Sequence, residues 1–99
     1  MHIDAHLERE DGTKLETTRD LIGVADFLRA RSEGTACMRF IDPYGETVFN
    51  RGQCGVLLDE WAVLANDVPE DTQGWVNDVA QLIERCATDV HLYVRFSGD

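Results

Sequence analysis

Two apolar stripes at helical spacing constrain the fold of this 99-residue chain more than any other feature. The first stripe lies in segment 53–67 and consists of Cys54, Leu57, Leu58, Trp61, Leu64 and Ala65. The second lies in segment 72–87 and consists of Trp75, Val76, Val79, Leu82, Ile83 and Cys86. Because the acidic segment Asn66–Asp71 is a tight connection, we expect the two helices to form an antiparallel pair. Such a pair needs a further apolar surface to cover.

Alternating segments at the two ends of the chain predict the strands that provide this surface. In the first segment Ile3, Ala5 and Leu7 share one face, and in the last Val90, Leu92, Val94 and Phe96 do so. Residues 10–13, EDGT, turn the chain into a second strand over about Thr13–Thr18. A type I turn with a left-handed Gly12 pairs Leu7 with Leu15 and Glu8 with Lys14. We prefer it to a two-residue Asp-Gly turn, which opposes Glu8 to Leu15.

A helix is predicted between the first hairpin and residue 34. Thr17 and Asp20 have the spacing of a capping box. Apolar residues then recur at helical spacing, and Gly34 can close the helix in a left-handed conformation. The stripe consists of Leu21, Val24, Ala25 and Leu28.

The segment RFIDPYGETVFNR, residues 39–51, predicts a second hairpin. Asp42, Pro43 and Gly45 fit the first, second and fourth positions of a type I turn, with positive φ at the glycine. The corresponding register places Ile41 opposite Thr47, Phe40 opposite Val48 and Arg39 opposite Phe49. The element order is then ββαββααβ in a single domain over residues 1–99. We predict an α+β two-layer sandwich, with a mainly antiparallel five-stranded sheet and three helices on one face.

The uncovered side of this sheet is the predicted interaction site, which we call the open sheet face. Arginine and aromatic residues, which are enriched at interfaces, are frequent there. Its members are Arg39, Ile41, Phe49, Arg51, His91, Tyr93 and Arg95, with Tyr44 as a secondary contact at the hairpin tip. Three interpretations stay open: a homodimer surface, a site for a protein or small anion, and an ordinary face whose arginines pair with Asp4, Glu16 or Glu46.

Other reactive side chains favour structural roles. His2, Asp4 and His6 alternate on one strand and could bind zinc, but a polar strand face is the preferred interpretation. The cysteines Cys37, Cys54 and Cys86 fit buried positions. The adjacent carboxylates of residues 59–60 and 70–71 point in different directions on a helix, so neither pair is an acid–base dyad. No catalytic residue, metal or cofactor is predicted.

The charge narrows the class of partner. There are 19 acidic and nine basic residues, for a net charge of −10. From Asp59 to Asp89 there are eight acids and one base, Arg85. Nucleic acids and anionic membranes are therefore disfavoured, whereas a basic protein is attracted. Three widely spaced cysteines and an N-terminus without signal-peptide features predict a cytoplasmic protein.

The pattern FIDPYGETVFN, followed by LLDEWAVL and YVRFSGD, resembles small bacterial proteins, some of them encoded on mobile gene cassettes. The similarity covers roughly residues 37–99. It implies a bacterial, cytoplasmic origin and carries over no activity or catalytic residue. We therefore expect a non-enzymatic interaction domain that neutralises or regulates a basic partner, as immunity proteins and antitoxins do. The alternative is a protein that binds small anionic ligands through Arg39, Arg51 and Arg95.

Overall fold

A computed structural model describes residues 2–98 of the chain and shows an α+β fold. Three helices accompany a four-stranded antiparallel sheet of order β2-β1-β4-β3, so the prediction of a fifth strand is wrong. The strands are β1 (Ile3–Arg9), β2 (Lys14–Thr18), β3 (Glu46–Phe49) and β4 (Leu92–Gly98). The helices are α1 (Ala25–Ser32), α2 (Arg51–Ala65) and α3 (Glu70–Thr88), with one 3-10 turn at Met38–Phe40.

The core forms where the two predicted stripes of α2 and α3 meet the central strands β1 and β4. Alternate residues of both strands are buried with the stripes in one apolar cluster, as the patterns predict. Trp61 occupies its centre, with its ring centroid 5.7 Å from that of Trp75 and 5.8 Å from that of Phe96. Its indole Nε1 donates a hydrogen bond to the Val76 carbonyl at 2.9 Å, which ties α2 to α3.

The first hairpin has the predicted turn and, in part, the predicted register. Gly12 has φ +88°, and its N–H donates to the Arg9 carbonyl at 2.9 Å. Glu8 lies opposite Lys14, as predicted, but Leu7 lies opposite Glu16. A bulge in β2 causes the difference, because Leu15 is one residue more than the opposing strand can pair.

Helix α1 is shorter than predicted, because the side chain of Asp20 holds residues 22–24 in a loop. Its carboxylate accepts hydrogen bonds from the N–H groups of Ile3, Ile22, Gly23 and Val24, at 2.8–3.1 Å. These bonds use the donors in a loop instead of a helix, and α1 begins only at Ala25. Gly34, with φ +82°, follows the helix as predicted.

The prediction of a second hairpin is wrong, because residues 38–40 form the 3-10 turn and not a strand. The turn at Asp42–Gly45 does form, with the Tyr44 N–H bonded to Asp42 Oδ1 at 2.8 Å, but the φ of Gly45 is not positive. The competing interaction comes from α2. The Glu60 carboxylate accepts the N–H groups of the three residues 36–38, which directs this backbone away from β3.

Strand β3 consequently pairs with β4, and its side chains have the opposite orientation to the predicted one. Val48 lies opposite Arg95 and Phe49 opposite Val94. Phe49 is only 3% exposed and packs edge-on against Phe96 at 5.9 Å. A shift of one residue in a strand exchanges its two faces, which explains why the predicted surface aromatic lies in the core.

We predict that Asp20→Asn lowers the free energy of unfolding by about 3 kcal/mol at neutral pH, because an amide offers one acceptor oxygen to four donors. Burial opposes ionisation, but the backbone N–H groups outweigh it and hold the pKa of Asp20 below its ordinary value of 3.8. The stabilisation is therefore complete above that value and is lost as the pH falls through the lower folded-state pKa.

Denaturant titration of both proteins between neutral and acid pH measures this difference. The gap between wild type and variant should be constant near neutrality and should shrink below about pH 4. Asp26→Asn, in the exposed first turn of α1, is the matched control. An Asp20→Asn protein as stable as this control would contradict the assigned role.

Candidate interaction site

The predicted open sheet face is dispersed in the structure. Of the predicted residues, only Tyr93 and Arg95 lie on the sheet face opposite the core. His6, Glu8 and Val48 lie on the same side, and we call these five residues the polar sheet face. Placement of Phe49 on that face was wrong, since it belongs to the core. The predicted neighbours therefore do not form one surface.

The remaining predicted residues lie on other elements. Arg39 is in the 3-10 turn and Ile41 follows it, partly buried against the core. Arg51 is the first residue of α2. His91 precedes β4 and its Nδ1 lies 3.3 Å from Glu10 Oε1. Tyr44 is exposed at the turn, as expected for a residue at its tip.

An ion pair between a buried carboxylate and a partly exposed arginine occupies the middle of the polar sheet face. Glu8 is 4% exposed, and its two carboxylate oxygens accept from Arg95 Nε at 3.2 and 3.0 Å. Glu46 lies 3.8 Å from the same guanidinium and accepts a hydrogen bond from Ser97 Oγ at 2.7 Å. Arg95 thus pairs mainly with Glu8, which the ordinary-face interpretation did not name, and only more distantly with Glu46, which it did.

His6 adds a second buried polar group beside this pair. Its Nδ1 lies 2.9 Å from Thr17 Oγ1 across the β1–β2 pair. Burial lowers the pKa of His6, and the nearby Lys14 ammonium lowers it further. The ring is therefore held neutral and makes a structural contact instead of adding a positive charge to the face.

The three arginines of the anion-binding alternative lie on three separate elements. The Arg39 guanidinium stacks 4.7 Å from the Phe40 ring centroid, Arg51 begins α2, and Arg95 is bonded to Glu8. A carboxylate or phosphate ligand is usually held by several convergent donors. The observed placement gives no support to a shared anion site at these residues.

The outer surface of α3 is acidic. Glu70, Asp71, Asp78 and Glu84 are exposed along it. The basic residue of the helix, Arg85, pairs with Glu16 on β2, so part of its charge is directed towards the sheet. We refer to these four carboxylates as the acidic face of α3. Glu70 and Asp71 lie in the first turn, where the helix dipole favours negative charge, as predicted.

An apolar loop lies next to this acidic face. Leu21 and Ile22 are 84% and 46% exposed, although the helical pattern placed Leu21 in a buried stripe. They help to line a cavity of about 570 Å³, whose other walls are Thr17, Thr18, Arg19, Asp71, Trp75 and Asp78. Gly23 adopts φ +85° in this loop. A glycine inside a helical pattern was the signal in the sequence that the stripe could be interrupted there.

The cysteines are buried, as predicted, although the hydrogen bond from Cys54 lowers the pKa of Cys86. The pKa of Cys54 is raised by its hydrogen bond to Cys86 and by burial. Burial also raises the pKa of Cys37, and the Glu60 carboxylate acts in the same direction. All three thiols have little access to a substrate.

Within residues 2–98, no group of three His, Cys, Asp or Glu residues is arranged to hold a metal ion. In the same part of the chain, no helix is long and apolar enough to cross a bilayer. Comparisons of the sequence and structure with protein-family models, curated proteins and solved structures found no match.

We predict that Arg95→Met lowers the free energy of unfolding by about 3 kcal/mol, because it leaves the buried Glu8 carboxylate without its ionic partner. The double variant Glu8→Leu/Arg95→Met removes both charges and should recover most of the loss. Chemical denaturation of the two single variants and the double variant measures the coupling.

Arg39→Met, which removes an exposed arginine stacked on Phe40, is the control and should change stability by less than about 1 kcal/mol. Strict additivity of the Glu8 and Arg95 substitutions would show that the two side chains do not act as a pair.

Proposed function

We propose that this chain is a non-enzymatic interaction domain that neutralises or regulates a basic protein partner. The observation that carries the proposal is the acidic face of α3, where Glu70, Asp71, Asp78 and Glu84 are exposed while Arg85 is directed to Glu16. Such an arrangement suits the binding of a toxin or nuclease with a basic surface, in the manner of an immunity protein or antitoxin. A cytoplasmic location belongs to the same proposal.

Two physical effects support this function. A net charge of −10 attracts a cationic protein over a distance of about 8 Å at physiological ionic strength and thereby accelerates encounter. Charge alone gives little specificity, so a stable complex also needs apolar contact. Leu21 and Ile22 supply exposed apolar surface, and they line the same cavity as Asp71 and Asp78.

The proposal retains the predicted two-layer arrangement, with the helices on one side of the sheet. Contacts of α3 with β1, β2 and β4, and of α2 with β4, support it. In this arrangement the acidic face of α3 points away from the sheet. A homodimer through the polar sheet face has less support, because its anchor Phe49 is buried and Arg95 is already paired with Glu8.

Affinity capture from a bacterial lysate with charge-matched baits tests the proposal. The test bait carries amide substitutions at the acidic face of α3: Glu70→Gln, Asp71→Asn, Asp78→Asn and Glu84→Gln. The control bait loses the same charge elsewhere, through Glu10→Gln, Asp26→Asn, Glu33→Gln and Glu46→Gln. We expect basic proteins to be retained by the wild type and the control bait and lost from the test bait, as quantified by mass spectrometry.

The association rate of a captured partner should also fall about tenfold or more between low salt and 0.5 M salt, since screening removes the steering force. Equal retention by the test and control baits, or an association rate indifferent to salt, would contradict the role of the acidic face.

A further inference from the structure

The two tryptophans of the core differ in one respect that points to a ligand. The Trp61 indole N–H is bonded to the Val76 carbonyl, whereas the Trp75 indole N–H is buried and has no acceptor anywhere in residues 2–98. Trp75 is 6% exposed. Buried N–H groups are almost always hydrogen-bonded, so an unpaired one favours any bound state that supplies an oxygen.

Trp75 also forms part of the wall of the cavity at the β2–α1 loop. Its neighbours on that wall include Leu21 and Ile22 from the loop and Asp71 and Asp78 from α3. The lining therefore combines the residue that carries the unpaired donor with exposed apolar side chains and two carboxylates. Arg19 is the one basic residue among the lining residues, so the lining has an excess of negative charge.

The loop that carries the apolar pair is fixed in place. The Asp20 carboxylate holds the N–H groups of Ile22, Gly23 and Val24, and the Asp20 N–H donates to Asp4 Oδ1 at 2.9 Å. Leu21 and Ile22 are exposed on an ordered backbone, and a ligand that contacts them has little backbone entropy to remove. Exposed apolar residues held in this way are typical of a contact surface.

We propose that this cavity binds a segment of the basic partner in which an apolar side chain lies between lysine or arginine residues. The apolar side chain contacts Leu21 and Ile22, a main-chain carbonyl accepts from Trp75 Nε1, and the flanking cations approach Asp71 and Asp78. This inference rests on the proposed function and specifies its recognition element.

A peptide fits these requirements better than a small cation does. An extended segment presents a carbonyl at every residue and side chains on both sides, so it can satisfy the donor, the apolar pair and the carboxylates together. The Trp75 nitrogen is covered in the free protein, so this contact requires the side chains around it to rearrange on binding.

Titration by NMR tests the proposal through the two indole N–H signals. The probe is a five-residue Lys-Leu-Lys-Leu-Lys peptide with blocked ends, and its Glu-Leu-Glu-Leu-Glu counterpart is the control. We expect the lysine peptide at millimolar concentration to move the Trp75 indole signal downfield and leave the bonded Trp61 signal nearly unchanged. The glutamate peptide should move neither signal.

Variants identify the contacts. Leu21→Ser/Ile22→Ser should weaken binding of the lysine peptide about tenfold, because it removes apolar contact area without touching the core. Trp75→Phe, which removes the donor and also shortens a core ring, should weaken it about threefold or more, and a thermal melt of the free variant measures the packing loss separately. Val63→Ser, a substitution of an apolar residue that is exposed on α2, is the matched control and should bind as the wild type does.

The outcomes separate this inference from the proposed function. If the lysine peptide shifts amide signals of α3 but not the Trp75 indole, and Leu21→Ser/Ile22→Ser binds normally, the cavity is not the recognition element although the acidic face binds cations. If neither signal set moves, or if the two peptides act alike, the inference is wrong. The charge-matched baits then judge the acidic face independently.

Discussion

The carboxylate of Asp20 is the interaction on which the arrangement of the N-terminal half depends. It joins the Ile3 N–H at the start of β1 to the three N–H groups that precede α1, so one side chain sets both the end of the first hairpin and the start of the helix. Because the N–H groups of Ile3 and Val24 would otherwise be buried without partners, the loop has few alternative conformations. The exposure of Leu21 and the shape of the cavity beside Trp75 are direct results of this arrangement.

The sequence predicts those parts of the fold that local pattern controls. The stripes of α2 and α3 and the alternation of β1 and β4 are buried as expected, because 3.6- and 2-residue periods require no knowledge of distant residues. The second hairpin could not be predicted in the same way. Its turn residues are correct, but Glu60, more than 20 residues away, supplies the acceptor that directs residues 36–38 into a different conformation.

The candidate site could be predicted less well than the fold, for two physical reasons. The two faces of β3 are exchanged relative to the prediction, so Phe49 lies in the core and Val48 on the polar sheet face. Charge was the more reliable guide on α3, where the four carboxylates are exposed, although Glu8 and Asp20 are buried elsewhere in the fold. The acidic segment from residue 59 to 89 could be read from the sequence. The apolar loop beside it could not be predicted, because its conformation depends on the hydrogen bonds of Asp20.

The strand order has a consequence for how the chain folds. Ile3 pairs with Gly98, so the two central strands join the most distant described parts of the sequence, and closing that long loop is slow. Because the α2–α3 pair is local in the sequence, we expect it to form before β1 and β4 meet and to leave the stripe with Trp61 and Trp75 uncovered for that time. Repulsion between the carboxylates on the outside of α3 would then oppose association of such molecules. The charges proposed to attract a partner would thus also limit aggregation during folding.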